Sequence, residues 1–253
     1  MAVREEGGSE VTRDRIRGCL LGGAIGDALG APVEFLSLDR IRERFGAEGV
    51  TDLGETFDVR GAITDDTQMT LFTAEGLIRA RQRFEARGIA APVAVIHHAY
   101  LRWLDTQLST QLSTQPSTQP STHLSTQPSP QPSTQRVKAR GSAFAAALES
   151  RGWLVDEPVL RNCRVPGNTC LSALRSGKQG TRDERINDSK GCGGVMRVAP
   201  VGLVAQDPFG LAADAAAITH GHPSGFLAAG AASRGSNLAV WRPGTRPSIG
   251  GMR

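Results

Sequence analysis

A run of four-residue repeats divides this sequence into two parts. Over residues 106–133 the chain reads TQLS, TQLS, TQPS, TQPS, THLS, TQPS and PQPS, which leaves almost no apolar side chains to bury. Such a segment cannot bury enough surface to offset the entropy of ordering its backbone. We therefore interpret residues 106–135 as a low-complexity insert that loops out of one domain.

The parts on either side of the insert carry helical patterns. Apolar and small residues recur at three- and four-residue steps over residues 12–30, which predicts a closely packed helix. Similar spacing predicts helices over residues 67–82, 92–103, 144–148 and 211–219. No segment shows the sustained alternation and β-branched content of strands. The sequence therefore predicts a mainly α-helical fold.

The charge and hydropathy patterns exclude several classes of partner. The net charge is +4, and four arginines after residue 233 account for this excess. A charge-balanced body lacks the basic surface that nucleic acid requires. The longest apolar runs are shorter than the roughly 20 residues of a membrane span, and no basic signal-peptide start precedes them. We expect a cytoplasmic protein that binds neither nucleic acid nor membrane.

An acidic motif, GAITDDTQM, stands immediately before the helix predicted at residue 67. Thr64 or Asp65 could accept hydrogen bonds from the free amides of the first helical turn. Alternatively, Thr64, Asp65 and Asp66 supply the hard oxygen ligands that Mg²⁺ or Mn²⁺ prefers. The residues themselves leave helix capping and metal binding open.

Two further carboxylates belong to the end of the first predicted helix. Asp27 lies on its apolar side and needs a partner there, either as a structural brace or as a functional group. Glu34 follows between Val33 and Phe35, which is an unusual setting for a purely solvated glutamate.

A glycine-rich segment, NDSKGCGGVMRVAP, covers residues 187–200. Gly191, Gly193 and Gly194 would allow backbone amides to turn toward a phosphate. A simple turn explains the same glycines, and no Walker or dinucleotide-binding pattern is present.

Five sequence blocks in order together resemble the ADP-ribosylglycohydrolase family. They are GCLLGGAIGDALGAPVEF (18–35), GAITDDTQMTLFTAEGLIRA (61–80), PGNTCLSAL (166–174), SKGCGGVMRVAPVGL (189–203) and THGHPSG (219–225). The resemblance implies an all-α orthogonal multi-helix bundle over residues 12–232. It also implies a centre of two Mg²⁺ or Mn²⁺ ions and hydrolysis of a glycosidic bond to ADP-ribose, on a protein or a small molecule.

The resemblance also implies roles for individual residues. Thr64, Asp65 and Asp66 match the family's first metal-binding motif, and Glu34 matches the catalytic glutamate that approaches the scissile ribose. The positions that match the substrate-binding loop and its neighbourhood are Ser189, Gly191, Gly193, Gly194, Met196 and His220.

One departure from the family's pattern lies toward the C-terminus. The second metal motif of the family, G-D-x-D-T, does not occur in this sequence, and residues 233–253 lack an apolar period. We therefore expect a C-terminally truncated member with at most part of the metal site, followed by a non-homologous, disordered tail from residue 233. The alternative is a catalytically inactive remnant, an ADP-ribose-binding module or a structural module.

Overall fold

The computed structural model describes residues 6–113 and 152–240. The helix predicted at residues 144–148, most of the predicted insert and residues 241–253 lie outside these ranges. The helices of the described part are α1 (Glu6–Gly30), α2 (Leu38–Phe45), α3 (Asp65–Arg87), α4 (Pro92–Ser113), α5 (Asn168–Arg175), α6 (Ala199–Val204), α7 (Pro208–Ala217) and α8 (Pro223–Val240).

The remaining regular structure is short. Strands β1 (Glu55–Thr56) and β2 (Val59–Arg60) form an antiparallel hairpin, and 3₁₀ turns cover Trp153–Asp156, Pro158–Arg161 and Cys192–Gly194. The prediction of an all-α fold is therefore confirmed. None of the helices in the described ranges is long and apolar enough to span a membrane.

Helix α3 has clear start and stop signals, and it organises both the core and the site. Thr64 precedes it as the N-cap, with its side chain accepting a hydrogen bond from the Asp66 amide. Gly88 ends it in the left-handed region at φ 71°, where glycine meets no Cβ penalty. The prediction that Thr64 caps the helix is thus confirmed. Its role as a metal ligand stays a prediction.

The core forms where α3 and α4 pack together and α7 closes over them. Gly76 permits the close approach of α3 to α4, because a Cβ there would lie only 2.9 Å from the Ile96 Cα. The largest apolar side chains with full burial on these two helices are Met69, Phe72, Ile96, Tyr100, Leu101, Trp103 and Leu104. Helix α7 contributes small residues, including Ala213 and Ala217, so it can approach this layer closely.

The predicted start of the low-complexity insert is wrong. Helix α4 continues through Ser113, and Thr106 and Gln107 are buried within it. Gln107 Nε2 donates to Gln68 Oε1 at 3.0 Å, and Trp103 Nε1 donates to the same oxygen at 3.0 Å. The beginning of the repeat is therefore ordered by the hydrogen bond from Gln107 to α3 and by Leu108, which packs against the core.

The predicted tail also begins too early. Helix α8 continues to Val240, and Ser233 is fully buried. Ser233 Oγ donates to the Pro208 carbonyl at 2.8 Å, and Asn237 Nδ2 donates to the Gly202 carbonyl at 2.7 Å. Ser233 and Asn237 thus pack on the start of α7 and on α6, whereas the division into one domain, an insert and a tail otherwise stays a prediction.

Candidate active site

The N-terminus of α3 is held by a carboxylate from α1. Asp27 Oδ2 accepts hydrogen bonds from the amides of Thr64 (2.9 Å) and Thr67 (3.1 Å) and from the Thr67 hydroxyl (2.5 Å). Its Oδ1 accepts from the Thr64 hydroxyl at 2.7 Å. Asp27 is therefore a structural brace, one of the two roles that its sequence position left open, and it fixes α1 to the first turn of α3.

Asp65 is held from the opposite direction by the segment before α5. Its amide donates to the Arg164 carbonyl at 3.3 Å, and its Oδ2 accepts from the Gly167 amide at 3.2 Å. Between these two contacts, Val165 has φ 52°. This conformation is strained for a β-branched residue, so the fold tolerates strain at a point where the chain reverses around Asp65.

Glu34, Asp65 and Asp66, which we call the acidic cluster, influence one another electrostatically. The pKa of Asp65 is raised to about 7, mainly by burial. The hydrogen bond from the Gly167 amide lowers this pKa, whereas the charges of Asp66 and Glu34 raise it. Burial, then Asp27 and Glu34, raise the pKa of Asp66 to about 6, although this residue keeps an exposed side. The pKa of Glu34 is raised by burial and then by Asp27.

The donors of the acidic cluster fit a hard divalent cation. Within residues 6–113 and 152–240, the carboxylates of Glu34 and Asp66 have no hydrogen-bond partner, and no three His, Cys, Asp or Glu residues are grouped to hold a metal. Mg²⁺ commonly binds through one or two carboxylates and keeps several waters. The Asp65 and Asp66 carboxylates with the Thr64 hydroxyl oxygen match that donor set.

The predicted substrate loop is fixed by hydrogen bonds at its start. Ser189 donates its amide to Asn187 Oδ1 at 3.0 Å, and its hydroxyl lies 3.2 Å from the Thr169 hydroxyl of α5. The same hydroxyl oxygen accepts from the Gly191 amide at 3.3 Å. Gly194 lies against α7, since a Cβ there would lie 2.8 Å from the Ala216 Cβ.

His220 lies against this loop. A Cβ on Gly193 would lie 2.7 Å from Cε1 and 3.1 Å from Nε2 of the His220 ring, and a Cβ on Gly191 would lie 3.4 Å from Nε2. The ring is 2% exposed, and burial followed by the charge of Arg197 lowers its pKa to about 4. The glycines therefore allow the loop to lie against a neutral imidazole.

The structure connects the loop to the acidic cluster through α3. The Thr70 hydroxyl, one turn after Asp66, donates to the Met196 carbonyl at 3.1 Å. It also donates to the Asp66 carbonyl at 2.8 Å, so the two contacts share one hydroxyl. The predicted metal ligands and the predicted substrate loop thus belong to one region of the molecule.

Sequence reasoning missed two residues in this region. Arg197 is fully buried below the loop, and its Nη1 lies 3.4 Å from the Cys170 Sγ. The pKa of the Cys170 thiol is raised mainly by burial, while Asp65 raises it further and Arg197 lowers it. Cys170 thus lies between the acidic cluster and the cation, and the arginine within the apolar run VMRVAP was the signal available.

Comparison with known proteins agrees with the resemblance. The 65 residues that align with the ADP-ribosyl-[dinitrogen reductase] glycohydrolase of Rhodospirillum rubrum are 42% identical and cover 25% of this chain and 22% of that relative. An uncharacterized protein of Archaeoglobus fulgidus is 39% identical over 66 residues, or 26% of this chain and 22% of the relative. The aligned segments thus span about a fifth of each relative.

No solved structure matches the chain. The family model described as ADP-ribosylglycohydrolase, however, matches residues 8–245 and so covers nearly the whole sequence, including all five motif blocks. The chain belongs to the ADP-ribosylglycohydrolase family.

Proposed function

We propose that this chain hydrolyses a glycosidic bond to ADP-ribose and so removes ADP-ribose from a modified protein or small molecule. The observation that carries the proposal is the meeting of two different sites across α3. Glu34, Asp65 and Asp66 concentrate negative charge at its N-terminus, and the Thr70 to Met196 hydrogen bond joins that end to the glycine-rich loop. A ligand with a terminal sugar joined to a diphosphate, as in ADP-ribose, matches this pairing.

Thr64, Asp65 and Asp66 are the residues that would hold Mg²⁺ or Mn²⁺. The Thr64 hydroxyl donates a hydrogen bond to Asp27, which leaves lone-pair density on the Thr64 oxygen for another contact. When bound, a divalent cation orients hydroxyl groups of the sugar and lowers the pKa of a coordinated water. Two ions would need ligands beyond these three residues, and the motif that supplies them in the family is absent from the sequence.

Glu34 is the proposed catalytic residue. Its carboxylate has a raised pKa and no hydrogen-bond partner within the described ranges, so it is available to exchange a proton. As the bond at C1 of the ribose breaks through an oxocarbenium-like state, a water attacks C1 and passes its proton to Glu34. The leaving group departs with a proton from solvent or from the protonated glutamate.

The loop residues have a binding role in this proposal. Ser189, Gly191, Gly193, Gly194 and Met196 would lie along ADP-ribose, with His220 beside Gly191 and Gly193. Glycines allow backbone amides to face a phosphate at close range, and such amides bind anions without adding charged side chains. This region therefore determines affinity, whereas the acidic cluster determines the reaction.

The test is release of ADP-ribose from ADP-ribosylated arginine and serine peptides, with Mg²⁺ or Mn²⁺ added to chelator-treated protein. We expect metal-dependent release, which Glu34→Gln lowers by about 100-fold or more without abolishing ADP-ribose binding. The matched control is Glu48→Gln, which changes an exposed glutamate that, like Glu34, precedes the β1–β2 hairpin in the sequence. This variant should leave release unchanged. Equal release by the wild type and Glu34→Gln would contradict the catalytic assignment.

The alternative is an ADP-ribose-binding module without activity, which the missing D-x-D-T motif favours. Calorimetry with free ADP-ribose separates the two functions. Binding without release on any tested peptide would support the module, whereas absence of both binding and release would contradict both functions.

A further inference from the structure

The least expected group in the core is the Arg197 guanidinium. It is fully buried, and in the part of the chain that the structure describes no carboxylate forms an ion pair with it. Its Nη2 donates to the Ala215 carbonyl at 3.1 Å, and the guanidinium carbon Cζ lies over the Tyr100 ring, 4.4 Å from the ring centre. A buried cation without a counter-charge costs stability, so its presence calls for a function.

Arg197 reaches His220 through a single hydroxyl. Its Nη2 donates to Thr219 Oγ1 at 2.8 Å, and the same oxygen lies 2.8 Å from His220 Nδ1. A guanidinium can only donate, so the Thr219 oxygen must accept this bond. The hydroxyl also contacts the Cys170 thiol, whose raised pKa keeps it protonated and able to donate, so the hydroxyl proton is available to Nδ1.

Electrostatics favours one of the two possible bonds between Thr219 and His220. If Nδ1 carried the proton, its N–H would point toward an oxygen that already accepts from a cation and toward the positive guanidinium. If Nδ1 is unprotonated, its lone pair faces the hydroxyl proton and the same positive charge. The burial and the Arg197 charge that lower the pKa of His220 keep the ring neutral at pH 7, so the other nitrogen must then carry the proton.

We propose that Arg197, acting through Thr219, holds His220 in the tautomer protonated on Nε2 and so presents an N–H donor to the ligand along the glycine loop. Nε2 is the ring nitrogen beside Gly191 and Gly193, and it has no hydrogen-bond partner among residues 6–113 and 152–240. The donor fits a phosphate or hydroxyl oxygen. Arg197 and Thr219 are thus positioning residues, and the ligand half of this inference rests on the proposed function.

The tautomer is measurable without any ligand. Ring ¹⁵N spectra of the full-length free protein at pH 7, with His220 assigned by its loss in His220→Gln, report which nitrogen carries the proton. We expect the shift of an unprotonated nitrogen at Nδ1 and of a protonated nitrogen at Nε2. The reverse pattern, or a doubly protonated ring, would overturn the proposal.

A pair of variants at position 219 then tests the connection to binding. Thr219→Val keeps the shape and removes the hydroxyl, whereas Thr219→Ser keeps the hydroxyl. We expect Thr219→Val to mix the two tautomers and to weaken ADP-ribose binding by about tenfold, and Thr219→Ser to retain both properties of the wild type.

The outcomes separate this inference from the proposed function. Wild-type affinity in Thr219→Val, or equal losses in Thr219→Val and Thr219→Ser, would overturn the positioning role. The expected tautomer in a wild-type protein that does not bind ADP-ribose would support the positioning by Arg197 but overturn both the ligand assignment and the proposed function.

Discussion

The acidic cluster and the pair formed by Arg197 and His220 carry charges of opposite sign, and the pKa values of their titratable groups shift in opposite directions. Burial, and then the negative charges of neighbouring carboxylates, raise the pKa values of Glu34, Asp65 and Asp66. Arg197 and His220 bring positive charge and a titratable base into the core, and the histidine pKa falls. Both arrangements oppose stability, which is expected where a fold keeps charge available for a ligand.

The opposite shifts give opposite effects of pH on stability. Between about pH 4 and 7 the folded state keeps a proton on Asp65 that the unfolded state has lost, so this residue makes stability fall as pH rises. Between about pH 4 and 6.5 the unfolded state protonates His220 and the folded state does not, so this residue makes stability rise with pH. Variants in the two regions should therefore change the pH profile in opposite directions.

The largest effect is expected at Asp27, the neighbour of the acidic cluster whose carboxylate accepts four hydrogen bonds. Asp27→Ala removes the acceptor of the Thr64 and Thr67 donors and uncaps α3. We expect the free energy of unfolding to fall by about 3 kcal/mol, measured by urea denaturation. Asp14→Ala, at an exposed position of the same helix, is the control, and an equal effect of the two variants would contradict the bracing role.

Asp65→Asn should have the opposite sign. The amide keeps an oxygen for the Gly167 N–H but removes a buried charge, so in metal-free buffer at pH 8 we expect about 2 kcal/mol of added stability. At pH 4, close to the pKa of the carboxyl in the unfolded state, both states of the wild type hold much of this proton, so the gain should largely disappear. Asp183→Asn on the exposed surface is the control. A gain that is the same at both pH values would show that Asp65 charge is not its source.

Divalent cations should offset the repulsion within the acidic cluster. An ion that binds only the folded state at five times its Kd adds about 1 kcal/mol of stability, which appears as a higher midpoint of thermal unfolding. We expect Mg²⁺ or Mn²⁺ to produce this shift in the wild type and in Asp39→Asn, and to fail in Asp66→Asn. A shift of equal size in all three proteins would place the cation elsewhere on the surface.

The residues that sequence analysis placed correctly depend on local rules. Thr64 is recognisable as a cap because the helix begins one residue later, and Asp27 requires a partner because its own helix face is apolar. Likewise, the glycines at 191, 193 and 194 indicate a turn without any knowledge of its surroundings. The metal and substrate roles of these residues stay predictions, because they concern ligands and not the chain alone.

The residues that sequence analysis misplaced depend on partners far away along the chain. Gln107 belongs to a repeat whose composition predicts no packing, yet it donates a hydrogen bond to Gln68, which lies 39 positions earlier in the sequence. Asn237 and Ser233 follow an apolar pattern that has ended, yet carbonyl groups of residues before α8 hold them in the helix. The surroundings of Arg197 likewise consist of Cys170, Tyr100 and Thr219, which come from other segments of the chain.

The smallest effect is expected at His220, in the region of Arg197 and His220. With pKa values of about 4 in the folded state and 6.5 in the unfolded state, His220 should add about 0.7 kcal/mol of stability between pH 6 and pH 7. His220→Gln should lose this rise while the fall caused by Asp65 remains, so its stability should decline more steeply with pH than that of the wild type. Urea denaturation at the two pH values measures the difference between the slopes. Identical slopes, together with a His220 ring that titrates near pH 6.5 in ¹H spectra, would show that Arg197 does not act on this histidine and would remove the contrast between the two regions.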